Sequence, residues 1–257
     1  MDILKQALFP ILEHDPDRDA LICAENPLDH TLPERCVITF FGDELRAKAE
    51  RERLPVLTAM GSEILDIPVY ECVVDGERVC LTMAFLSAPG AAVTLENLQV
   101  MGCKKFIVCG GAGCLIPGSQ LGGLVLPTAA VRDEGTSYHY LPPAREVACG
   151  EAALEHVRRA LSELGVPFIE GKTWTTDGMM RETRKKIALR RDEGCVTVEM
   201  EAAAFFAVAQ FYGLSLAQVL YAGDDVSGDT WDSRGWNRQK SVRENLMELS
   251  LKLVLAL

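Results

Sequence analysis

The stretch Lys105-Phe-Ile-Val-Cys-Gly-Gly-Ala-Gly113 joins a short apolar run to a segment rich in glycine. An apolar run of this length before a turn signal is typical of a buried strand. Glycine has no β-carbon, so the backbone N–H groups of 110–113 can approach an anion or a base closely. A tight strand-to-loop turn without a ligand is the alternative. A dinucleotide site is not indicated, because Ile116 stands where the fingerprint G-x-G-x-x-G requires its last glycine.

Strand-like and helical patterns alternate on both sides of this stretch. Strands are predicted at residues 36–41, 69–74, 79–85, 105–109, 123–127, 195–198 and 215–222, with a turn at Asp75-Gly76. Helices are predicted at residues 43–53, 91–101, 145–164, 181–192, 199–212 and 241–257. This alternation indicates a sheet largely covered by helices, in one α/β domain.

Composition excludes several classes of function. The 257 residues carry a formal net charge of −11, which would repel a phosphate backbone, so no nucleic-acid partner is expected. The nine cysteines are scattered and never form C-x-x-C, so neither disulfides nor a metal site is expected, and a reducing cytosol is favoured. No signal-peptide pattern or run of roughly 20 apolar residues is present, so we expect a cytoplasmic protein without membrane contact.

Two acidic patterns are candidates for chemistry. Val198-Glu-Met-Glu-Ala-Ala-Ala204 places two carboxylates where an otherwise apolar helix begins. A buried Glu201 requires a partner, for example two ligand hydroxyls, unless both glutamates only complement the helix dipole. Asp224 and Asp225 follow a predicted strand, where α/β sheets place catalytic groups. Adjacent carboxylates raise each other's pKa, which favours a general acid, although a solvated turn cap is the alternative.

Four segments, in order and spacing, resemble the nucleoside phosphorylase superfamily. They are residues 106–113, 122–132, 198–203 and 222–225, and the Val-Glu-Met-Glu-Ala element is the most specific. The resemblance runs from about residue 37 to the C-terminus. It implies a three-layer α/β/α sandwich around a mixed central sheet, a single domain over residues 1–257 with a family-atypical N-terminal extension at 1–36, and a homo-oligomer.

The resemblance also implies roles for the acidic residues. In that superfamily the methionine and second glutamate of the element hold the ribose, which here are Met200 and Glu201, with Glu199 beside them. Purine-cleaving members carry an aspartate at a fixed offset after this glutamate, where it protonates the departing base. The same offset leads to Asp224, with Asp225 as the alternative.

The base is expected to be a purine. The glutamine and arginine with which uridine phosphorylases hold uracil are not evident in residues 176–183. Ala112 and Gly113 are expected beside the base, and Met179 and Met180 against its face, unless the two methionines are ordinary core residues. A nearby arginine assists the acid in purine phosphorylases, and Arg234 and Arg238 are candidates, with solvated loop charges as the alternative.

The phosphate site departs most from the family pattern. Gly42 and Arg46 reproduce the glycine and arginine of the first strand-to-helix loop, and Gly110 and Gly111 offer backbone amides. A second arginine, usual before the glycine turn, is replaced by Val108, and the arginine that a neighbouring subunit supplies has no match in residues 62–66. Arg46 as a surface residue is the alternative.

Three functions therefore remain open. The leading hypothesis is phosphorolysis of a nucleoside, with inorganic phosphate as co-substrate and no cofactor. The second is hydrolysis on the same fold, for which the acidic residues Asp43 and Glu44 are available. The third is a catalytically silent protein that binds nucleosides, suggested by an intact ribose motif beside an incomplete phosphate site.

Overall fold

The computed structural model describes residues 4–257, so the first residues of the predicted N-terminal extension, 1–3, lie outside the described part. Within residues 4–257 no helix is long and apolar enough to cross a membrane. The strands are β1 Arg35–Thr39, β2 Val56–Met60, β3 Ile67–Val74, β4 Glu77–Met83, β5 Lys105–Cys114, β6 Leu124–Asp133, β7 Glu146–Ala148, β8 Phe168–Thr176, β9 Cys195–Glu199 and β10 Ser215–Asp225. The helices are α1 Gly42–Glu52, α2 Ser87–Val100, α3 Glu151–Glu163, α4 Arg184–Asp192, α5 Ala202–Tyr212 and α6 Lys240–Leu253.

All strands join one mixed sheet in the order β10-β6-β8-β9-β5-β1-β4-β3-β2, with β7 added to β6. Because β10 also pairs with β5, the strands β5, β10, β6, β8 and β9 close into a ring, and β1, β4, β3 and β2 extend from it as an open wing. The pairings of β5 with β1 and β10 are parallel, whereas that of β5 with β9 is antiparallel. The predicted α/β/α sandwich around a mixed sheet is confirmed.

The helices bury the apolar faces that the sequence pattern indicates. In α5 the run 202–209 is buried at every position, and this helix packs against α2 and against strands of the ring. Helix α6 packs on β1, β5 and β10 and on α1 and α3. A helix that is apolar all round must be enclosed by the fold, which is why α5 is central and α6, with one polar face, is peripheral.

Several local predictions are confirmed and others are wrong. The turn between β3 and β4 is formed by Asp75 and Gly76, with φ angles of 50° and 87°. The helix predicted at 145–164 begins only at Glu151, because its first part is the short strand β7, which pairs with β6. The sequence patterns do not predict strands β2 and β8.

The predicted end of this strand at Cys109 is also wrong, and the alternative of a tight turn at 110–113 is excluded, because β5 continues through Cys114. The glycines are needed there by close packing within the sheet. A β-carbon on Gly111 would lie 2.9 Å from the ring of Tyr221, and one on Gly113 would lie 2.9 Å from a methyl group of Val198. Neither glycine has a positive φ, so space rather than backbone conformation selects glycine at these positions.

Candidate active site

Glu201 is the last residue before α5, and it is 6% exposed. The N–H group of Ser87, at the start of α2, donates to Glu201 Oε1 at 2.8 Å, and that of Met200 donates to Oε2 at 3.3 Å. Burial, and after it the charge of Glu199, raises the pKa of Glu201 to about 8. Each carboxyl oxygen has two lone pairs, so Glu201 retains acceptor capacity for ligand hydroxyls.

Glu199 has its hydrogen bonds inside the fold. Its Oε1 accepts from the Thr175 hydroxyl at 2.6 Å, and its Oε2 accepts from the N–H groups of Glu201 at 2.7 Å and Ala202 at 2.6 Å. Burial raises the pKa of Glu199, while these donors favour its charged form. Glu199 thus binds the free N–H groups at the start of α5 and fixes the backbone at Glu201, and its predicted contact with a ribose stays a prediction.

Asp224 lies at the end of β10, beside the end of β5. A β-carbon on Gly113 would lie 3.6 Å from Asp224 Oδ1. The indole N–H of Trp231 donates to Asp224 Oδ2 at 2.7 Å. Asp224 is half-buried and makes no ion pair within residues 4–257, and the Trp231 indole is its hydrogen-bond donor there.

Asp225 points to different partners. Its carboxylate forms an ion pair with Arg234 and accepts from the N–H of Ser227 at 2.8 Å. Burial opposes the charged form, but these partners outweigh it and hold the pKa of Asp225 below its usual value. Of the two neighbouring aspartates, Asp225 is therefore held in its charged form by partners inside the loop. Arg234, predicted as a helper of the acid, pairs with Asp225 instead.

Glu182 is a candidate site residue that was not predicted from the sequence. It follows the short 3-10 helix Met179–Arg181, after the end of β8. Burial, and after it the charge of Asp224, raises the pKa of Glu182 to about 7, and no hydrogen bond from the described residues opposes this shift. In the sequence Glu182 stands between Arg181 and Arg184, which suggests a surface ion pair. In the structure it forms an ion pair with neither arginine.

The residues predicted beside the base differ in exposure. Ala112 is 5% exposed and packs with Val125 and Leu220. Met179 and Met180 are exposed, so the alternative that they are core residues is excluded. Their position in the segment that leads to Glu182 leaves their side chains free to cover a ligand.

The residues predicted to bind phosphate lie in two parts of the structure, the start of α1 and the interior of β5. Gly42 begins α1, and a β-carbon on it would lie 3.0 Å from Met83 Sδ and 3.2 Å from the guanidinium of Arg46. Arg46 is paired with Asp43 at 2.7 Å. Glu44, the other acid of this loop, is buried and turned towards Arg243 at 3.8 Å. Gly110 and Gly111 lie inside β5, opposite Leu220 and Tyr221 of β10.

Arg46 also lines a cleft of about 710 Å³ whose wall includes the segment from Met83 to Leu86, directly before Ser87. Asp66 is the other charged residue that lines this cleft, and most of the remaining wall is apolar. The cleft therefore extends from Arg46 to Leu86, the residue that precedes Ser87 in the chain.

Contacts connect these groups in one order along the ends of the strands. Arg46 and Gly42 lie at Met83, the end of β4, and Ser87 follows this strand and binds Glu201. Val198, close before Glu201 in the chain, packs on Gly113, which adjoins Asp224. Arg46, Glu201 and Asp224 thus follow one another in this order. Glu182 lies near Asp224. No cluster of three His, Cys, Asp or Glu side chains within residues 4–257 could hold a metal ion.

Comparison with known proteins gives the same assignment as the motifs. A sequence profile described as the phosphorylase superfamily matches residues 34–257. Guanosine phosphorylase from Halorubrum lacusprofundi is 26% identical over 189 residues, which cover 71% of this chain and 78% of the relative. A DeoD-type purine nucleoside phosphorylase from Colwellia psychrerythraea is 25% identical over 216 residues, covering 83% and 92%. The crystal structure of uridine phosphorylase from Vibrio fischeri superposes with a TM-score of 0.72 at 20% identity, covering 91% and 96%, which shows likeness of fold.

Proposed function

The chain belongs to the phosphorylase superfamily, and on that premise we propose that it cleaves the N-glycosidic bond of a purine nucleoside with inorganic phosphate as nucleophile. The observation that carries this proposal is the order of groups along the strand ends. Arg46 lies at one end, Glu201 in the middle and Asp224 at the other end. A phosphate, a ribose and a base are joined in the same order in the transition state of phosphorolysis.

The chemistry suits these three groups. Bond cleavage develops positive charge on the sugar and negative charge on the base, so groups placed to meet those charges lower the barrier. Glu201 is protonated below about pH 8 in the free protein, but ribose hydroxyls that donate hydrogen bonds to it favour its charged form. The ionised carboxylate then lies near the developing positive charge. Asp224 donates a proton to the departing base as general acid. Met200 completes the ribose site in this proposal.

Glu182 supports a purine that carries N–H donors on its edge. The carboxyl group of Glu182 is half-buried and receives no hydrogen bond from the described residues, so it can accept hydrogen bonds from a ligand. The N1–H and exocyclic amine of guanine are two adjacent donors that match a carboxylate in a bidentate manner. Met179 and Met180, on the segment before Glu182, would cover the face of the base beside Ala112 and Gly113.

One observation favours hydrolysis as a second candidate. Arg46 forms an ion pair with Asp43, which partly neutralises the positive charge that a phosphate dianion would need. A carboxylate in this loop could instead orient a water molecule. In the phosphorolytic reading a phosphate displaces Asp43 from Arg46 and also receives backbone N–H groups, for which Gly42, Gly110 and Gly111 are candidates.

The decisive experiment is a panel of purine and pyrimidine nucleosides followed for release of free base, with and without phosphate. We expect guanosine or inosine to be cleaved only when phosphate is present, with ribose 1-phosphate as the sugar product. Release of free ribose at the same rate without phosphate would replace phosphorolysis by hydrolysis. Tight nucleoside binding without release of base under either condition would indicate the catalytically silent protein.

A further inference from the structure

The loop after β10 returns to the candidate acid. Trp231, near its tip, is 64% exposed, yet its indole N–H reaches back to Asp224 Oδ2 at 2.7 Å. Within residues 4–257 this is the hydrogen bond that fixes the Asp224 side chain. The loop buries little of the Trp231 ring, so the hydrogen bond from its indole N–H to the carboxylate is the contact that orders it.

The base of the same loop is fastened by Asp225. The N–H groups of Asp225 and Asp232 donate to each other's carbonyl oxygens at 2.8 and 3.0 Å, and the Asp225 carboxylate pairs with Arg234. Arg234 has a positive φ of 47°, is mostly buried at its side chain, and lies 3.5 Å from the Ser119 hydroxyl. These contacts hold the two ends of the segment 225–234 together and so determine where Trp231 lies.

We infer that Trp231 is a positioning residue for Asp224, and that the pair Asp225–Arg234 acts through it. The inference rests on the proposed function. Both carboxylate oxygens of Asp224 lie close to Gly113, where the base is proposed to lie, since a β-carbon there would be 3.6 Å from Oδ1 and 3.7 Å from Oδ2. The indole occupies Oδ2, so Oδ1 is the oxygen left for the base. The indole N–H also stabilises the carboxylate that remains once the proton has passed to the base. Trp231 thus has the task for which Arg234 and Arg238 of this loop were candidates from the sequence.

The test separates orientation of the acid from packing on the ligand. Trp231→Phe keeps an aromatic ring and removes the N–H donor. Trp236→Phe is the matched control, because the Trp236 ring stacks with Arg243 and its indole N–H donates no hydrogen bond to Asp224. Both are assayed on a natural purine nucleoside and on its 7-methylated analogue. The methylated base is already positively charged and leaves without a proton, so it bypasses the acid.

We expect Trp231→Phe to lower kcat on the natural nucleoside by about 10-fold, with KM nearly unchanged and the 7-methyl substrate unaffected. Asp225→Asn should reproduce this pattern, and Trp236→Phe should not. Equal losses on both substrates, or parental kcat in Trp231→Phe, would overturn the inference while leaving the cleavage reaction in place. A parent protein that releases base from neither substrate overturns the proposed function instead.

The contact itself is measured independently of turnover. In protein labelled with ¹⁵N at the indoles, Asp224→Asn should move the Nε1–H resonance of Trp231, which is assigned from its absence in Trp231→Phe. The resonances of Trp174 and Trp236 should move much less, because the Trp174 indole donates to Asp133 and the Trp236 indole donates no hydrogen bond to Asp224. An unmoved Trp231 resonance would refute the inference whatever the activity assays give.

Discussion

Replacing Glu201 by glutamine removes a charge that the fold opposes. The pKa of Glu201 lies at about 8 in the folded protein, because of burial and the nearby Glu199, against an ordinary value of 4.5. Between these two values the folded state holds a proton that the unfolded chain has released. The free energy of unfolding therefore falls as the pH rises through this window, and the contribution is lost once the pH exceeds about 8.

The magnitude follows from the shift. One pKa unit corresponds to about 1.4 kcal/mol, and the interval from pH 6 to the pKa spans about two units, so the parent loses about 2–3 kcal/mol between pH 6 and pH 9. The amide of the Glu201→Gln variant cannot ionise, but its oxygen can still accept from Ser87. We expect the stability of the variant relative to the parent to increase by about that amount over this interval, measured by urea unfolding.

The same variant should lose activity while it gains stability. Loss of the charged acceptor for the ribose hydroxyls is expected to lower kcat/KM by roughly 10- to 150-fold, equivalent to about 1.5–3 kcal/mol. Glu163→Gln, at the exposed end of α3, is the control for a charge change without burial. Parallel stability curves for parent and variant between pH 6 and 9, or parental activity in folded Glu201→Gln, would refute this account of the residue.

The phosphate site, the acid and the packing of the sheet each give one further prediction. Arg46→Ala should raise the KM for phosphate far more than that for the nucleoside, and parental turnover without phosphate would contradict this. Asp224→Asn should slow cleavage of a natural purine nucleoside by roughly 10²–10⁴-fold and spare the 7-methylated one, and equal losses on both would indicate a structural role. Gly111→Ala should lower the free energy of unfolding, measured with urea, by about 1–3 kcal/mol, because the added methyl group would overlap the Tyr221 ring. The control is Gly150→Ala, whose methyl group would have no atom within 4 Å and should lower that free energy by only a few tenths of a kcal/mol.

The sequence predicted the elements that have a strong period or a specific motif, and it failed where long-range pairing decides. The buried strand before Gly110 and the helix after Glu201 follow from local apolar patterns. Continuation of β5 through Gly113 could not be predicted, because it depends on β10 and β9 closing the ring around that segment. Local reasoning treated a glycine-rich segment as a turn, whereas partners distant in the chain make it a strand.

The candidate site shows the same division. The motifs and the offset led to Glu201 and Asp224, but adjacent residues of one type, such as Asp224 and Asp225, could not be distinguished by pattern. Their difference is set by Trp231 and Arg234, which approach from the loop after β10. Glu182 could not be predicted, because what distinguishes it is that its half-buried carboxyl group receives no hydrogen bond from the described residues. Such a property can be recognised only in the folded structure.

The division of the sheet into a closed ring and an open wing has a consequence for partial unfolding. Asp224 and Gly113 belong to strands of the ring, where no edge is available from which hydrogen bonds can open one strand at a time. Ser87 follows β4 of the wing, which ends at the free edge of β2. Opening of the wing from that edge would disrupt the cleft that Arg46 lines, whose wall includes residues of β3 and β4, while the ring stays intact. The protein would then keep the proposed acid Asp224 in place and lose the phosphate site proposed at Arg46, so we expect activity to disappear at a lower denaturant concentration than the bulk of the secondary structure.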